Sequence, residues 1–416
     1  MRYFLLFEKK GFSVSISLSY RYILLLFTFP YLIWEIYWAS QVGYVSIKWH
    51  THLMLYLYLW IIGYFTLSFL TRNANRNTYA NSLLFLTATL LVLFIVEFFC
   101  VVFKLKQTTI ESFGNGYYSW HNSHWETWYR SSVPNKEYWL RKEEYQYQRY
   151  ANSYGFGDRE WVEKKAKNEK RVLCLGDSYT EGDGAPFDST YVAFLCNSLR
   201  EIDTSVSVMN AGTCGNDPFV NFVNYRDRLV KFNPNIIVQT ISSGDLTVDL
   251  MVRGGMERFE KNGKVKYRAA PWWEPIYAIS YISRFYFSAL GYNELLMKDS
   301  DVQKRKAELD AIVVDLFKHY ATLAKRNGSR LVVVFHPYKG EVIAEKYAYD
   351  FTQIENRLKA IDNLYVLNLL PVYISKTKGS KSVERYYWPK DGHHNSTGYA
   401  MMADGIYEYL VKDWAR

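Results

Sequence analysis

The chain has 416 residues, enough for a membrane region and one well-cored domain. Its net charge of +9 comes without zinc-finger spacing, an RNP-like motif or a dense Lys/Arg block, which argues against a nucleic-acid partner. The four cysteines are too sparse for a disulfide framework and form no CxxC; Cys100, in an apolar run, and Cys174, in an expected strand, read as small core hydrophobes.

Apolar residues make up 49% of the chain and aromatic residues 18%, and three long apolar runs lie before residue 105. They cover 22–38, 52–70 and 83–103. A bilayer core takes roughly 20 apolar residues as helix. The second and third runs meet that length; the first is shorter and holds Pro30. No small-residue cleavage site follows the first run, so it reads as a span and not as a removed leader. Three transmembrane helices are therefore expected. Arg2, Lys9, Lys10 and Arg21 precede the first, Lys48 stands in the first loop, and Arg72 and Arg76 stand in the second. By the positive-inside rule the N-terminus is cytoplasmic and everything after residue 105 is extracytoplasmic. Glu35 is expected at the membrane interface and Glu97 inside the helix bundle, ahead of a functional role for either.

Residues 106–168 are polar and rich in Trp and Tyr, which suits an ordered juxtamembrane cap or linker. His121, His124 and Glu126 share a metal-like spacing, but without a helical apolar face no metal site is expected. From residue 169 short apolar runs alternate with helical patterns. Strands are expected at 171–175, 205–210, 235–241, 330–336 and 364–370, with helices near 190–201, 219–231, 302–326 and 397–413. Such alternation predicts a parallel sheet with helices on both faces. An insertion at 242–301 separates the third and fourth strands, a length typical of a lid or binding loop. Its run 276–292 reads as a core helix first, with an aromatic lid or an interfacial helix as alternatives.

Four polar clusters follow expected strands: Gly176-Asp177-Ser178, Gly212 to Gly215, Ser243-Gly244-Asp245 and Asp391-Gly392-His393-His394. In a parallel sheet the carboxyl ends of the strands share one edge, and ligands bind there. Ser178 would be a nucleophile at a strand-to-helix turn that Gly176 makes possible. A serine hydroxyl needs a base; His393 or His394 would supply it, oriented by Asp391. Backbone N–H groups of Ser178 and Gly215 would face the developing oxyanion. Asp177 and Asp245 are candidate substrate-binding residues.

At these positions the sequence resembles the SGNH (GDSL-like) hydrolase superfamily. GDSYTEG (176–182) is similar to its nucleophile motif, NAGTCG (210–215) to its glycine motif, and DGHHNSTGY (391–399) to its Asp–His motif. The resemblance covers about 169–416. It implies a flavodoxin-like three-layer α/β/α sandwich and ester hydrolysis without metal or other cofactor. Gly244 stands where the family places an oxyanion-hole Asn. That departure implies a weakened site, a gap filled by water or another side chain, or a degenerate site. Counting forward from Asp391, D-x-x-H selects His394 as the base. Counting back from Gly398, H-x-N-x-x-G selects His393 and fixes three positions, so His393 is preferred.

Together these readings describe a membrane-anchored esterase acting on an acylated glycan or lipid. An O-acyltransferase with the same triad and a non-catalytic binding protein of the same fold are the competing readings.

Overall fold

In a computed structural model the residues described are 2–9, 12–19, 29–34, 49–71, 75–103, 105, 131–251, 254–259, 273–292, 298–377 and 380–412. The chain divides into two compact units, Met1–Asn122 with Arg268–Val302, and Ser123–Tyr267 with Gln303–Arg416.

In the first unit, strands Arg2–Lys9 and Phe12–Ser19 pair as an antiparallel hairpin, which the sequence reading did not anticipate. Two long helices follow, Trp49–Leu70 and Arg76–Val102. They run antiparallel: Tyr56 packs on Phe94 at 5.8 Å and Trp60 Nε1 donates to Thr87 Oγ1 at 2.9 Å. Asn75 caps the second helix by accepting from the Thr78 N–H at 2.8 Å. Their 18-residue cores have mean hydropathies of 1.8 and 2.6, and only 11% of either is buried, so neither is the core helix of a globular layer. Two helices long and apolar enough to cross a membrane are thus present among the described residues, where three were expected. The first expected span, 22–38, lies largely outside the described residues; 29–34 is helical. The His121–Glu126 cluster lies wholly outside them.

The second unit is built on five parallel strands: β1 (Lys170–Leu175), β2 (Val206–Asn210), β3 (Ile236–Ile241), β4 (Arg330–Phe335) and β5 (Leu364–Asn368). Their order is β2-β1-β3-β4-β5. This is the doubly wound order of a flavodoxin-like sheet, with one shared carboxyl edge. All six residues of central β3 are buried, as expected for a strand covered on both faces. Side chains alternate across the sheet. Val172, Cys174, Val238, Val332 and Val334 form one core with Val192, Leu195 and Leu199 of α1 (Tyr191–Ile202) and Ile406 and Leu410 of the C-terminal helix (Ser396–Val411). Leu173, Ile237, Leu331 and Val333, of the other parity, are equally buried. After β2, α2 (Pro218–Asn224) starts with Asp217 as its cap and Pro218 in its first turn. Its extension carries Tyr225, which meets Tyr320 of α3 (Asp299–Arg326) at 5.3 Å.

The polar stretch 131–168 belongs to this second unit. Within it Glu137–Arg141 and Gln146–Tyr150 pair antiparallel. The expected core helix at 276–292 is two short helices instead, Glu274–Ile279 and Tyr281–Ala289, broken at Ser280. Ile276, Phe285, Tyr286 and Leu290 are exposed, which a core helix would not allow. The run reads apolar because it builds a small aromatic cluster of its own, with Trp273 stacked on Phe287 at 4.3 Å.

The first part of the insertion is tied to the sheet domain by a buried ion pair. Arg258 Nη2 lies 2.5 Å from Asp217 Oδ2, with both side chains 1% exposed. Asp217 Oδ1 meanwhile accepts from the N–H groups of Phe219 and Val220. Asp217→Asn keeps the cap and strands the guanidinium, so it should cost about 3–5 kcal/mol in denaturant unfolding. Adding Arg258→Met should recover much of that loss; strictly additive losses would show that the two groups are not coupled.

Candidate active site

Ser178 opens a single helical turn, Ser178–Glu181, directly after β1. Asp177 caps that turn, accepting from the Tyr179 N–H at 2.9 Å. Gly176 does not owe its place to a left-handed backbone, since its φ is not positive. A Cβ there would lie 2.0 Å from Thr240 Oγ1 and 2.1 Å from Thr180 Oγ1. These two hydroxyls hydrogen-bond to each other at 2.8 Å across the Cα of Gly176. Gly212 is held to the same standard from the β2 side, where a Cβ would lie 2.2 Å from the Glu181 N. Gly215 has φ of 70°, a conformation that favours glycine.

His393 reaches this turn from a loop 215 residues away. Its Nε2 lies 2.8 Å from Ser178 Oγ and its Nδ1 lies 2.5 Å from Asp391 Oδ1. The network assigns the ring proton to Nδ1, leaving Nε2 to accept from the serine hydroxyl. Burial disfavours the imidazolium, but the Asp391 hydrogen bond and the charges of Asp183, Asp391 and Asp177 outweigh it and hold His393 above its ordinary pKa. Burial pushes Asp391 upward, yet the His393 hydrogen bond and charge, with help from Tyr145 and Lys142, bring it down to about 2.

His394, one residue on, turns the other way. It is fully buried, with Nε2 at 2.9 Å from Tyr373 Oη and Nδ1 at 3.3 Å from the Tyr386 carbonyl. Tyr179, Tyr387 and Tyr399 pack around its ring. Burial holds it well below its ordinary pKa, hence neutral. Gly398 is required by this packing, because a Cβ there would meet the Tyr386 carbonyl at 2.1 Å and His394 Nδ1 at 2.7 Å.

Asp245 lies at the carboxyl end of β3, where its carboxylate accepts from Ser242 N–H at 2.6 Å and Ser242 Oγ at 3.0 Å. Asp177 and Asp245 thus both hold local turns. At Gly244, a Cβ would lie 2.5 Å from Tyr338 Oη. The phenol enters from the loop after β4, and its hydroxyl is 2.6 Å from Ser242 Oγ. Since Ser242 donates to Asp245, Tyr338 donates to Ser242. The Tyr338 hydroxyl thus occupies the space beside Gly244.

Several residues of the site carried no motif. Tyr145 donates to Asp391 Oδ1 at 2.9 Å, and Glu144 accepts from the Lys390 and Asp391 N–H groups at 2.9 and 2.7 Å. Arg149, buried, donates to the carbonyls of Glu181, Gly182 and Ala185. Tyr138 donates to Glu181, whose other oxygen accepts from the Cys214 N–H at 2.5 Å. The hairpin 137–150 therefore braces both the Ser178 turn and the Asp391 loop. A polar, aromatic stretch far upstream gave only composition as a signal. His336, at the end of β4, packs on Tyr179 at 4.6 Å with neither ring nitrogen bonded to protein, and burial pushes it down to about 3.

No protein-family profile and no curated protein matches this sequence. Among solved structures, a two-domain esterase active on acetylated mannans is similar at 13% identity and a TM-score of 0.35, covering 59% of this chain and 49% of that one. The chain thus spans about half the length of that esterase. An acetyl xylan esterase is similar at 14% identity and a TM-score of 0.34, over 58% of this chain and 99% of its own. A lipase from a goat-rumen metagenome is similar at 15% identity and a TM-score of 0.39, over 57% and 96%. At these identities and scores the likeness carries neither an activity nor a substrate to this chain.

The space at Gly244 yields a direct expectation. Tyr338 is held between Tyr179 and His336 and cannot yield cheaply. Gly244→Asn should therefore lower stability by about 1–3 kcal/mol, as overpacking does, and should not raise activity. Tyr338→Phe removes the clashing oxygen and should restore part of the loss; a Gly244→Asn protein as stable as the parent would contradict the crowding.

Proposed function

We propose that the chain is a membrane-anchored serine esterase that removes acyl groups from a glycan or lipid, with Ser178 as nucleophile. The observation that carries this reading is the continuous chain Ser178 Oγ–His393–Asp391 at 2.8 and 2.5 Å, assembled at the carboxyl edge of a parallel sheet. A structural histidine has no need of a serine at one nitrogen and a carboxylate at the other. Such an arrangement is what general-base activation of a hydroxyl requires.

In the proposed reaction Ser178 Oγ attacks the ester carbonyl as its proton passes to His393 Nε2. Asp391 stabilises the imidazolium so formed. The oxyanion is received by the backbone N–H groups of Ser178 and Gly215, each worth roughly 3 kcal/mol in sites of this kind. The proton then goes from His393 to the departing alcohol, leaving an acyl group on Ser178. Water, deprotonated by the same histidine, releases the acid. No step calls on a metal. Tyr338, filling the position of the family's Asn with its proton committed to Ser242, leaves the backbone to do this work.

The anchor is proposed from the two apolar helices, His50–Leu70 and Asn77–Val102. The Lys/Arg distribution would put the catalytic unit outside the cytoplasm. An acylated sugar or lipid at the cell surface is then the substrate class within reach.

Ser178→Ala should abolish hydrolysis of short p-nitrophenyl esters and labelling by a fluorophosphonate, with the fold intact by circular dichroism. His393→Ala should lower kcat by about 10³ or more. His394→Ala should act chiefly on stability, since that ring sits in an aromatic cage. Residual turnover at the parent rate in Ser178→Ala would sink the proposal.

The pH profile gives a second check. His393 must be neutral to act, so kcat/KM should rise as pH climbs through its raised pKa. Asp183 is one of the charges that raise it. Asp183→Asn should accordingly move the acidic limb to lower pH while leaving the plateau in place. An unmoved limb would show that Asp183 does not set the basicity of His393.

A further inference from the structure

Glu97 is fully buried in a helix that is otherwise largely exposed and apolar, so something must satisfy its carboxylate. The partner is the start of helix Tyr281–Ala289, about 184 residues downstream in sequence but in the same compact unit. Glu97 Oε1 accepts from the Tyr281 N–H at 2.5 Å and Oε2 from the Ile282 N–H at 3.1 Å. Ser280 Oγ donates to Oε2 at 3.4 Å. His52, from the other long helix, places Nε2 2.7 Å from the Ile279 carbonyl and 3.5 Å from Glu97 Oε1. Two spanning helices thus clamp the junction of the two short ones.

The clamp sits near one rim of the apolar pair. His52 is three residues from the start of its helix and Glu97 five from the end of its own, roughly 5 and 8 Å at 1.5 Å per residue. At that depth lipid tails give way to headgroups. Beyond Glu274, the short helices carry almost no charge. Between Pro275 and Tyr292 the only charged residue is Arg284, which is 1% exposed, with its Nε on the Tyr277 carbonyl and its guanidinium over the Tyr281 ring. Ile276, Phe285, Tyr286 and Leu290 are 46–62% exposed. In the same unit Ile95, Val96, Phe99 and Val102 of the spanning helix are exposed beside Glu97 in sequence. A charge-free patch of large apolar side chains is costly against water, and Tyr and Phe at this depth suit the bilayer interface.

We propose that residues 273–292 form a second membrane-binding element, a helical hairpin pinned by Glu97 and seated in the lipid headgroup and upper acyl region. The inference rests on the reading of helices Trp49–Leu70 and Arg76–Val102 as membrane spans. It differs from the usual amphipathic anchor, which lays a basic face toward anionic lipid. Here residues 276–292 bring no exposed charge, since Arg284 is buried, so their attachment comes from apolar burial and from the carboxylate clamp. It should accordingly be insensitive to salt and to anionic lipid content.

The test uses the full chain in phosphatidylcholine nanodiscs, with Tyr286→benzoylphenylalanine or Phe285→benzoylphenylalanine as a photo-crosslinker. Irradiation should give a protein–phospholipid adduct by mass, unchanged at high salt. A crosslink to a second copy of the chain, or no adduct at either position, overturns the proposal. Amide exchange supplies the second arm: in Glu97→Gln the N–H groups of Tyr281 and Ile282 should exchange at least tenfold faster, and unchanged rates overturn the clamp. Extraction by alkaline carbonate separates the failures. A chain released by carbonate refutes the membrane spans themselves, whereas a carbonate-resistant chain without lipid adduct refutes this element alone. Fluorophosphonate labelling of Ser178 reads the catalytic proposal independently of both.

Discussion

The geometry of the site depends on how closely three strand ends approach beneath Ser178. Thr180, in the turn after β1, hydrogen-bonds Thr240 at the end of β3 directly over Gly176, and Gly212 after β2 lies against the backbone of Thr180 and Glu181. Any side chain at either glycine would push the turn off the sheet edge. With both absent, the turn has little freedom, because packed interiors leave no slack of a methyl group. Serine is thereby placed by backbone packing, while its own hydroxyl stays available to His393.

Acidic groups surround that turn, and they are handled in two ways. Glu181 is held by hydrogen bonds: Tyr138 and the Cys214 N–H bond its two oxygens, which ties the Ser178 turn to the glycine loop. Asp183 is buried, and burial with the Glu181 charge raises its pKa. Both it and Asp391 raise the basicity of His393, against burial, which lowers it. A base strengthened in this way takes the serine proton more readily, but it also titrates at higher pH. In the proposed reaction the same carboxylates would set both the driving force of the proton transfer and the acidic boundary of activity.

Much of this fold was legible because its signals are local. Five short apolar runs became the five strands within one or two residues. The helices expected near 190–201 and 397–413 are found at 191–202 and 396–411, where the structure shows Thr190 and Asn395 as their caps. The candidate site was legible where motif residues meet in space, at Ser178 directly after β1 and at the Asp391–His393 stretch in the loop beyond β5. What stayed hidden depends on contacts between distant segments. Tyr145 meets Asp391 across 246 positions, and Tyr338 meets Ser242 across 96. Neither pairing leaves a spacing to count. Gly244 reads as a gap in a motif, yet it is the concave half of a contact whose convex half is a tyrosine from another loop. The run 276–292 misled for a related reason: hydrophobicity reports that a surface avoids water, not whether protein or another apolar phase covers it.

The two adjacent histidines show how much a single backbone alternation decides. At 393–394 the two neighbouring side chains leave on opposite sides. One side holds Ser178 and Asp391; the other holds Tyr373, Tyr387 and Tyr399. The same imidazole is raised in pKa on the first side and lowered on the second. His394 nonetheless serves the site. Its bond to Tyr373 and its ring contacts fix the loop, and Asn395, next in line, caps the last helix by accepting from the Gly398 N–H at 3.1 Å. His393 is thus held from behind by a neutral buried residue that cannot compete for the serine proton. Had the register slipped by one, the acidic side would have met a ring caged in tyrosine, and the proton would have had nowhere to go.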